Sequence, residues 1–545
     1  MQKFIKILFF ILLFFLPLSF AGTESWSFFI FQTATTFIFC YFLITNNHIC
    51  ISNISKIIMS VFSILIVFGI IQSFNQHTIL DKVSVIPFSL CPFYTVKEVS
   101  YMFTFFIVFF ITTQLFQSYK QTKQLVLIIL LSSITVMLLC LFYPKGEYIN
   151  FFLGKKILGA FGSFVNRNSA GAFLSLSFFV SLSFLLSNIH EYKKEKKEQS
   201  EYNLKIFLQT LLSIFFLFSV IFVRSRGGMF STFISVFFLA SLYSICFTHS
   251  IKTRLKYLSI TIILFILSSI CIYNNLDAIN AYAHRVTYGN SEQTRILLYH
   301  GAIDMLKKYP VTGVGFAAFP VAINKYLTED LKSWPQNLHN DWLELLLSTG
   351  YPVGTLIFVL IAYLFILLLL RNKYIDRIKR ASFVCLGSGI LSFCLASSVD
   401  FHFHISADAF LFFVVLGIIA TATFHKGKDY TLRLRSYVKI PLICLSFLML
   451  YFSFNQAMAW KYIIFGENLI LEHKLSYYEK ALTFSKEPRY MQKLIITYYN
   501  TNFDKNLDFE KKEEYKQKAH SLSEQYLQLY PFDSKISKIY SNTIS

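Results

Sequence analysis

Two arginines in the phrase Arg224-Ser225-Arg226-Gly227-Gly228 interrupt an otherwise apolar stretch of this chain. Ionisable side chains between bilayer-length apolar runs are costly enough to need a reason. One reason is an anion, because a guanidinium fork makes bidentate, charge-assisted bonds to phosphate that strengthen in low-dielectric surroundings. The alternative is snorkelling to lipid headgroups, which we favour for Arg224. A polar segment further on gathers Arg285, Arg295, His300, Lys307 and Lys308, then Pro310 to Gly315, then Asn337-Leu338-His339-Asn340-Asp341-Trp342. His339 stands where a helix should open, with Asn337 or Asn340 placed to cap it. An imidazole there can take the proton of an attacking hydroxyl. The same position suits an ordinary interfacial histidine, and spacing alone leaves both open. Gly313 and Gly315 have no preceding strand, so we read them as turn residues and not as a phosphate loop. Asp400-Phe401-His402-Phe403-His404 with Asp408 invites a metal. Histidines two apart do not share a helical face, however, and no Cys or Glu completes a ligand set, so no metal is expected. Asp400 is better suited to neutralising or orienting an arginine. The chain has no paired acidic motif, Walker loop or Gly-x-Ser-x-Gly elbow.

The elements that must position these groups are membrane helices. Of 545 residues, 55% are hydrophobic and only 15% charged, and the mean hydropathy of +0.54 lies outside the range of soluble domains. Apolar runs of spanning length, about 18 to 20 residues, lie near 4–21, 27–45, 57–74, 99–117, 125–143, 170–188, 206–223, 229–247, 257–273, 351–370, 381–397, 409–424 and 438–455. The expected fold is an all-α, polytopic transmembrane helix bundle of about 12–13 spans. The net charge of +20 sits mainly in short breaks such as Lys193 to Lys197 and Arg371 to Arg380. It is a topology signal and predicts no nucleic-acid partner. By the positive-inside rule the N-terminus and these breaks face the cytoplasm, which puts Arg226, Arg295, His339 and Asp400 on the outer side. The first run also has the form of a secretory signal, with Ser19-Phe20-Ala21 as a small-x-small site. Nine cysteines, mostly within apolar runs and without a C-x-x-C pair, predict neither a disulfide framework nor a structural zinc. We divide the chain into a transmembrane domain, 1–455, with a large outer loop at 274–350 inside it, and a helical outer domain, 456–545. In that tail, Tyr478 to Ala481 before Pro488 and Lys516 to Ala519 before Pro531 read like degenerate tetratricopeptide-type hairpins. A plain helical cap fits the pattern as well.

Taken together these phrases resemble the O-antigen ligase and polymerase superfamily. The resemblance runs from Pro17-Leu18 through Gly22 to Trp26, through Phe164 to Gly171 and Ser225-Arg226-Gly227-Gly228, to Thr294-Arg295 followed by Tyr309-Pro310 and Gly313-Val314-Gly315. It continues with His339-Asn340-Asp341-Trp342 and ends at Val399-Asp400-Phe401 before Ile405-Ser406-Ala407, covering most of residues 1–425. Tyr299 departs from the pattern, which often has Trp there. The resemblance implies a metal-independent, cofactor-free, inverting glycosyltransferase of the bacterial inner membrane with its active site facing the periplasm. It implies a glycan donor on undecaprenyl diphosphate and an acceptor hydroxyl on lipid A-core, another glycan or a protein. Ligation of O-antigen to lipid A-core is the expected reaction, with polymerase and protein O-oligosaccharyltransferase as alternatives. The family's two arginines and one histidine map onto Arg226 and Arg295, which would bind diphosphate, and His339, which would be catalytic. Arg285, Asn340 and Asp400 are supporting candidates. A transporter or flippase of lipid-linked glycan is the alternative from another class. It would call for mid-depth charges and related halves, and we find no convincing internal repeat.

Overall fold

The apolar runs form helices long enough to cross a bilayer, ten of them among the described residues. The computed structural model describes residues 2–79, 84–149, 159–195, 199–247, 252, 255–256, 259, 262, 291–327, 335–371, 377–422, 430–503 and 507–544. The chain starts with α1 (Gln2–Phe15), α2 (Ser25–Thr45), α3 (Asn53–Phe74), α4 (Pro92–Leu115) and α5 (Tyr119–Phe142). It continues with α6 (Arg167–Glu195), α7 (Gln199–Phe222), α8 (Arg226–Phe247) and the polar helix α9 (Ser291–Lys308). Then come α10 (Asp341–Arg371), α11 (Arg377–Ala396), α12 (Ser406–Ala422) and α13 (Ser436–Glu467). Apart from residues 259 and 262, the span expected at 257–273 lies outside the described residues. The first expected span is shorter than its apolar run. Pro17 ends α1 at Phe15, and two 3₁₀ turns, Leu16–Leu18 and Phe20–Gly22, carry the chain onward. The segment is built into the fold, with Ile5, Phe9, Leu13 and Ala21 in the core.

Alternation of direction sorts the connections onto two ends. One end holds the lysine-rich breaks and a two-stranded antiparallel sheet, β1 (His48–Ile51) with β2 (Tyr430–Arg433). The other end holds Arg226, Arg295, His339 and Asp400, and we call it the site end. Small and hydroxyl residues join the helices, as expected where lipid gives no hydrophobic drive for association. Ser175 Oγ on α6 lies 2.6 Å from Thr232 Oγ1 on α8 and 2.9 Å from Ser392 Oγ on α11. Gln32 on α2 donates to Ser100 and Thr104 on α4, both at 2.9 Å.

One break in helical geometry is answered locally. Gly350, at φ 73 and ψ 173, kinks α10 just before Pro352. Non-helical backbone at membrane depth needs protein partners, and the Pro310–Gly315 strip supplies them. Tyr351 N donates to Pro310 O at 2.7 Å and Val314 N to Leu347 O at 2.9 Å, while the Gln72 amide of α3 donates to Ser348 O (2.8 Å) and Thr312 O (3.1 Å). A Cβ at Gly350 would sit 2.4 Å from Val311 O, and one at Gly313 would sit 2.5 Å from Leu347 O. Both glycines permit backbone contact.

Past residue 455, α13 runs on to Glu467 and the chain folds into α14 (Leu471–Phe484), α15 (Pro488–Asn500), α16 (Phe509–Leu529) and α17 (Ser534–Ile544). Ala481 and Ala519, singled out from the two similar sequence units, are both fully buried. Ile495, Tyr526, Tyr530, Ile536 and Ile539 share a hydrophobic cluster with Leu90, Leu298, Tyr309 and Phe319, so the tail packs over the site end.

The kink gives a stability test. Gly350→Ala adds a Cβ against a carbonyl at a left-handed φ and should destabilise by about 1–3 kcal/mol, read as a lower Tm of the detergent-solubilised protein. Gly387→Ala, where a Cβ meets nothing within 4 Å, should leave Tm unchanged or raise it. Equal losses in both variants would remove the significance given to the kink.

Candidate functional site

His339 sits at φ 58, immediately before the first turn of α10. The Asn340 side chain caps that turn, accepting from Trp342 N at 3.1 Å and Leu343 N at 3.0 Å. Asn340 is therefore the cap that the sequence suggested, and its Oδ1 is occupied in that role. The abrupt turn brings the His339 imidazole onto the loop between α11 and α12. Its Nδ1 lies 2.9 Å from Asp400 Oδ1, and its ring meets Phe401 edge-on at 4.8 Å between centroids. With Nδ1 donating to a carboxylate, Nε2 carries the lone pair. The side chain is 33% exposed against 4% for Asp400, so the imidazole is accessible and its partner is not.

Asp400 is tied to three sequence-distant elements. Asn168 Nδ2, in the first turn of α6, donates to Asp400 Oδ2 at 2.5 Å. The same side chain accepts from Ser225 Oγ at 3.1 Å, and Ser225 Oγ accepts from Gly228 N at 3.2 Å, capping α8 at Arg226. From α9, Arg295 Nη1 donates to Val399 O at 3.2 Å. One turn later on the same face, the Tyr299 hydroxyl donates to His339 O at 2.8 Å. Gly227 completes the closure, since a Cβ there would fall 2.8 Å from Val399 Cγ2. The helix start that carries Arg226 and the helix that carries Arg295 thus meet at Val399–Asp400. Burial acts to raise the Asp400 pKa, but the His339 hydrogen bond and the charges of His402, His339 and Arg295 outweigh it and hold the carboxyl at about 2. A buried carboxylate at this distance fixes the orientation of the imidazole. Arg285 lies outside the described residues.

A second group of buried charges lies beside the first. His402 and His404 share one 3₁₀ turn but face different acids. His402 Nδ1 is 3.4 Å from Asp408 Oδ2. His404 Nδ1 is 3.6 Å from Glu98 Oε2, and its Nε2 is 3.4 Å from Glu344 Oε1 and 3.7 Å from Asp341 Oδ1. Burial would lower the His404 pKa, yet Glu344 and Glu98 outweigh it and raise it well above the ordinary histidine value. The acids also hold backbone: Glu344 Oε2 accepts from Leu338 N at 3.0 Å and Asp341 Oδ2 from Phe403 N at 3.1 Å. Sequence reading weighs His402, His404 and Asp408 only as metal ligands and assigns no role to Asn168, Ser225, Glu98 or Glu344. Glu98 and Glu344, isolated acids in apolar runs, were the available signal. Glu98, Asp341, Glu344 and His404 also line the polar end of an apolar cavity of about 200 Å³ running among α3, α4, α10, α11 and α12. Its other walls include Ile57, Phe62, Met102, Leu364 and Phe365, and neither His339 nor Asp400 lines it.

The arrangement offers an accessible nitrogen base on a fixed anion, two arginine-bearing elements meeting at the same loop, and an apolar cavity next to them. A family model described as O-antigen ligase matches residues 211–359. That stretch begins within α7, contains Arg226, Arg295 and His339, and ends beyond the Gly350 kink of α10. No curated protein matches the chain. Residues 211–359 of this multi-pass membrane protein are thus similar to the O-antigen ligase family.

Proposed function

We propose that the protein transfers a glycan from undecaprenyl diphosphate to an acceptor hydroxyl at the periplasmic face of a bacterial inner membrane, with O-antigen ligation to lipid A-core as the reaction. The observation that carries this is the His339–Asp400 hydrogen bond at the loop where the Arg226 and Arg295 elements meet. The acceptor oxygen attacks the anomeric carbon, the bond from that carbon to the diphosphate oxygen breaks, and the diphosphate leaves with the bonding pair. His339 Nε2 takes the hydroxyl proton, and Asp400 stabilises the resulting imidazolium. Arg226 and Arg295 face the charge that grows on the leaving group, the electrostatic help that such a step needs. A single displacement inverts the anomeric centre. The neighbouring apolar cavity favours a lipid-borne substrate over a free sugar. The carboxyl groups at its polar end disfavour a diphosphate there, which leaves the diphosphate to the arginines.

Purified protein in nanodiscs, given lipid-linked glycan and lipid A-core, should form the joined product. His339→Ala should lower kcat roughly 10²- to 10⁴-fold, and Arg295→Ala or Arg226→Ala roughly 10²- to 10³-fold. Lengthened lipid-linked chains would point to polymerisation instead, and glycosylated protein to an oligosaccharyltransferase. Full activity in the folded variants would overturn the site. Lipid-linked glycan crossing the bilayer without transfer would favour a transporter.

Asp400 gives a pH test with a defined sign. Its pKa is about 2 in the folded protein against roughly 3.9 unfolded. Its ionisation therefore stabilises the fold above about pH 4, and that contribution is lost as pH falls through about 2. Asp400 stays ionised throughout the working pH range, so Asp400→Asn should lower kcat about 10²-fold or more at every pH between roughly 5 and 8. A variant restored to full rate by raising pH would show that the carboxylate charge is dispensable.

A further inference from the structure

A second cavity, of about 370 Å³, opens at the site end and is walled almost entirely by rings: Phe15, Phe20, Trp26, Tyr148 and Trp460, with Ser19 and Leu18 completing it. The volume falls at the lower end of the range of small-molecule sites, roughly 300–1,000 Å³. We propose that this cavity is a saccharide subsite in which a pyranose ring of the glycan stacks on Trp26 and Trp460. The proposal rests on the glycan-transfer reading for the identity of the ligand.

Four observations support it. Trp26 and Trp460 lie 6.5 Å apart at 47°, so the two indoles are not stacked face to face. Phe20 meets Trp26 edge-on at 5.8 Å. Aromatic faces are electron-rich, and a pyranose ring presents polarised C–H groups on one face and hydroxyls around its edge, which suits rings with polar groups at their margin. Those margins are present: the Trp460 indole N–H donates to the Glu24 carboxylate, Ser19 Oγ accepts from Ser27 Oγ at 2.8 Å, and the Tyr148 hydroxyl donates to Leu18 O at 3.3 Å.

Among the described residues no lysine or arginine lines the cavity, and this lining suits a neutral ring better than a diphosphate. The wall is also held in an uncommon conformation. Phe20 and Ala21 have φ of 57 and 53, and non-glycine residues in that region are strained and concentrate where a site needs them. Gly22, at φ 68, lies so close to α12 that a Cβ would fall 2.8 Å from Ser406 Cβ. The aromatic wall is therefore packed against the end of the loop that carries Asp400. A glycan attached at the reaction centre has this cavity within the same end of the molecule.

The test measures binding without turnover. Polysaccharide freed of its lipid by mild acid from the envelope of the source strain is titrated onto the full-length protein in nanodiscs and followed by saturation-transfer NMR. Saturable binding is expected, weakened about tenfold by Trp26→Ala or Trp460→Ala, restored by Trp460→Phe and unchanged in His339→Ala. Tyr148→Leu carries the test if an alanine variant melts early. Equal binding in the alanine variants, or no saturable binding to the wild type, overturns the subsite and assigns these rings to the interfacial aromatic belt. Ring-dependent binding in a protein that never transfers glycan keeps the subsite and overturns the transferase. Transfer with ring-independent binding does the reverse.

Discussion

The site end is organised by one constraint: a carboxylate that is almost wholly buried must be matched by donors and charge. Asp400 is 3% exposed. Its donors come from α6 through Asn168, from the start of α10 through His339 and from its own loop through Phe401 N. Removing one partner of a buried charge costs far more than the bond itself, because the remaining charge is left unpaired. Two helix starts that are remote in sequence, those of α6 and α10, are therefore fixed relative to the α11–α12 loop by a single side chain. The geometry of the candidate site and the local fold depend on the same anion.

The His404 group acts on the same loops from behind. Glu344 holds the backbone N–H of Leu338, next to His339, and Asp341 holds that of Phe403, next to His404. A positive His404 between Glu98, Glu344 and Asp341 lets these acids approach one another. The raised His404 pKa gives this contribution a definite pH dependence. It is fully present below the unfolded histidine value and is lost as pH rises through the higher folded value. Asp400 has the opposite dependence. Its contribution is complete at neutral pH and is lost only in strong acid.

Much of this was legible in the sequence because membrane helices announce themselves by length and hydropathy, and because charged residues at the ends of apolar runs are costly. The arginine phrase, His339 and the Asn340 cap were all visible in that way. The termination of α1 at Phe15 was less so. Apolar character continues through Leu18 and Phe20, and only Pro17 marks the stop. Asn168 and Ser225 are small polar residues of types common at helix starts, so their link to Asp400 depends on helix packing that one-dimensional spacing does not contain. His402 and His404 were read as unable to share a helical face. The 3₁₀ turn instead sends them to different acids on α4, α10 and α12.

The placement of charge also separates the two classes of function considered from the sequence. A carrier that takes a polar substrate across the bilayer needs polar groups near mid-depth, commonly at discontinuous helices in paired halves. Here the carboxylates within apolar helices near the site end include Glu98, Asp341, Glu344 and Asp408, all in the first two turns of α4, α10 and α12. Among the described spans, no carboxylate lies in the middle of a helix. The kinked helix α10 directs its exposed backbone groups to Pro310, Val314 and Gln72. Among the described spans, the buried carboxylates are therefore gathered toward the site end. That suits a reaction in which the hydrocarbon stays in the membrane while the sugar, the acceptor hydroxyl and the leaving diphosphate meet at its edge.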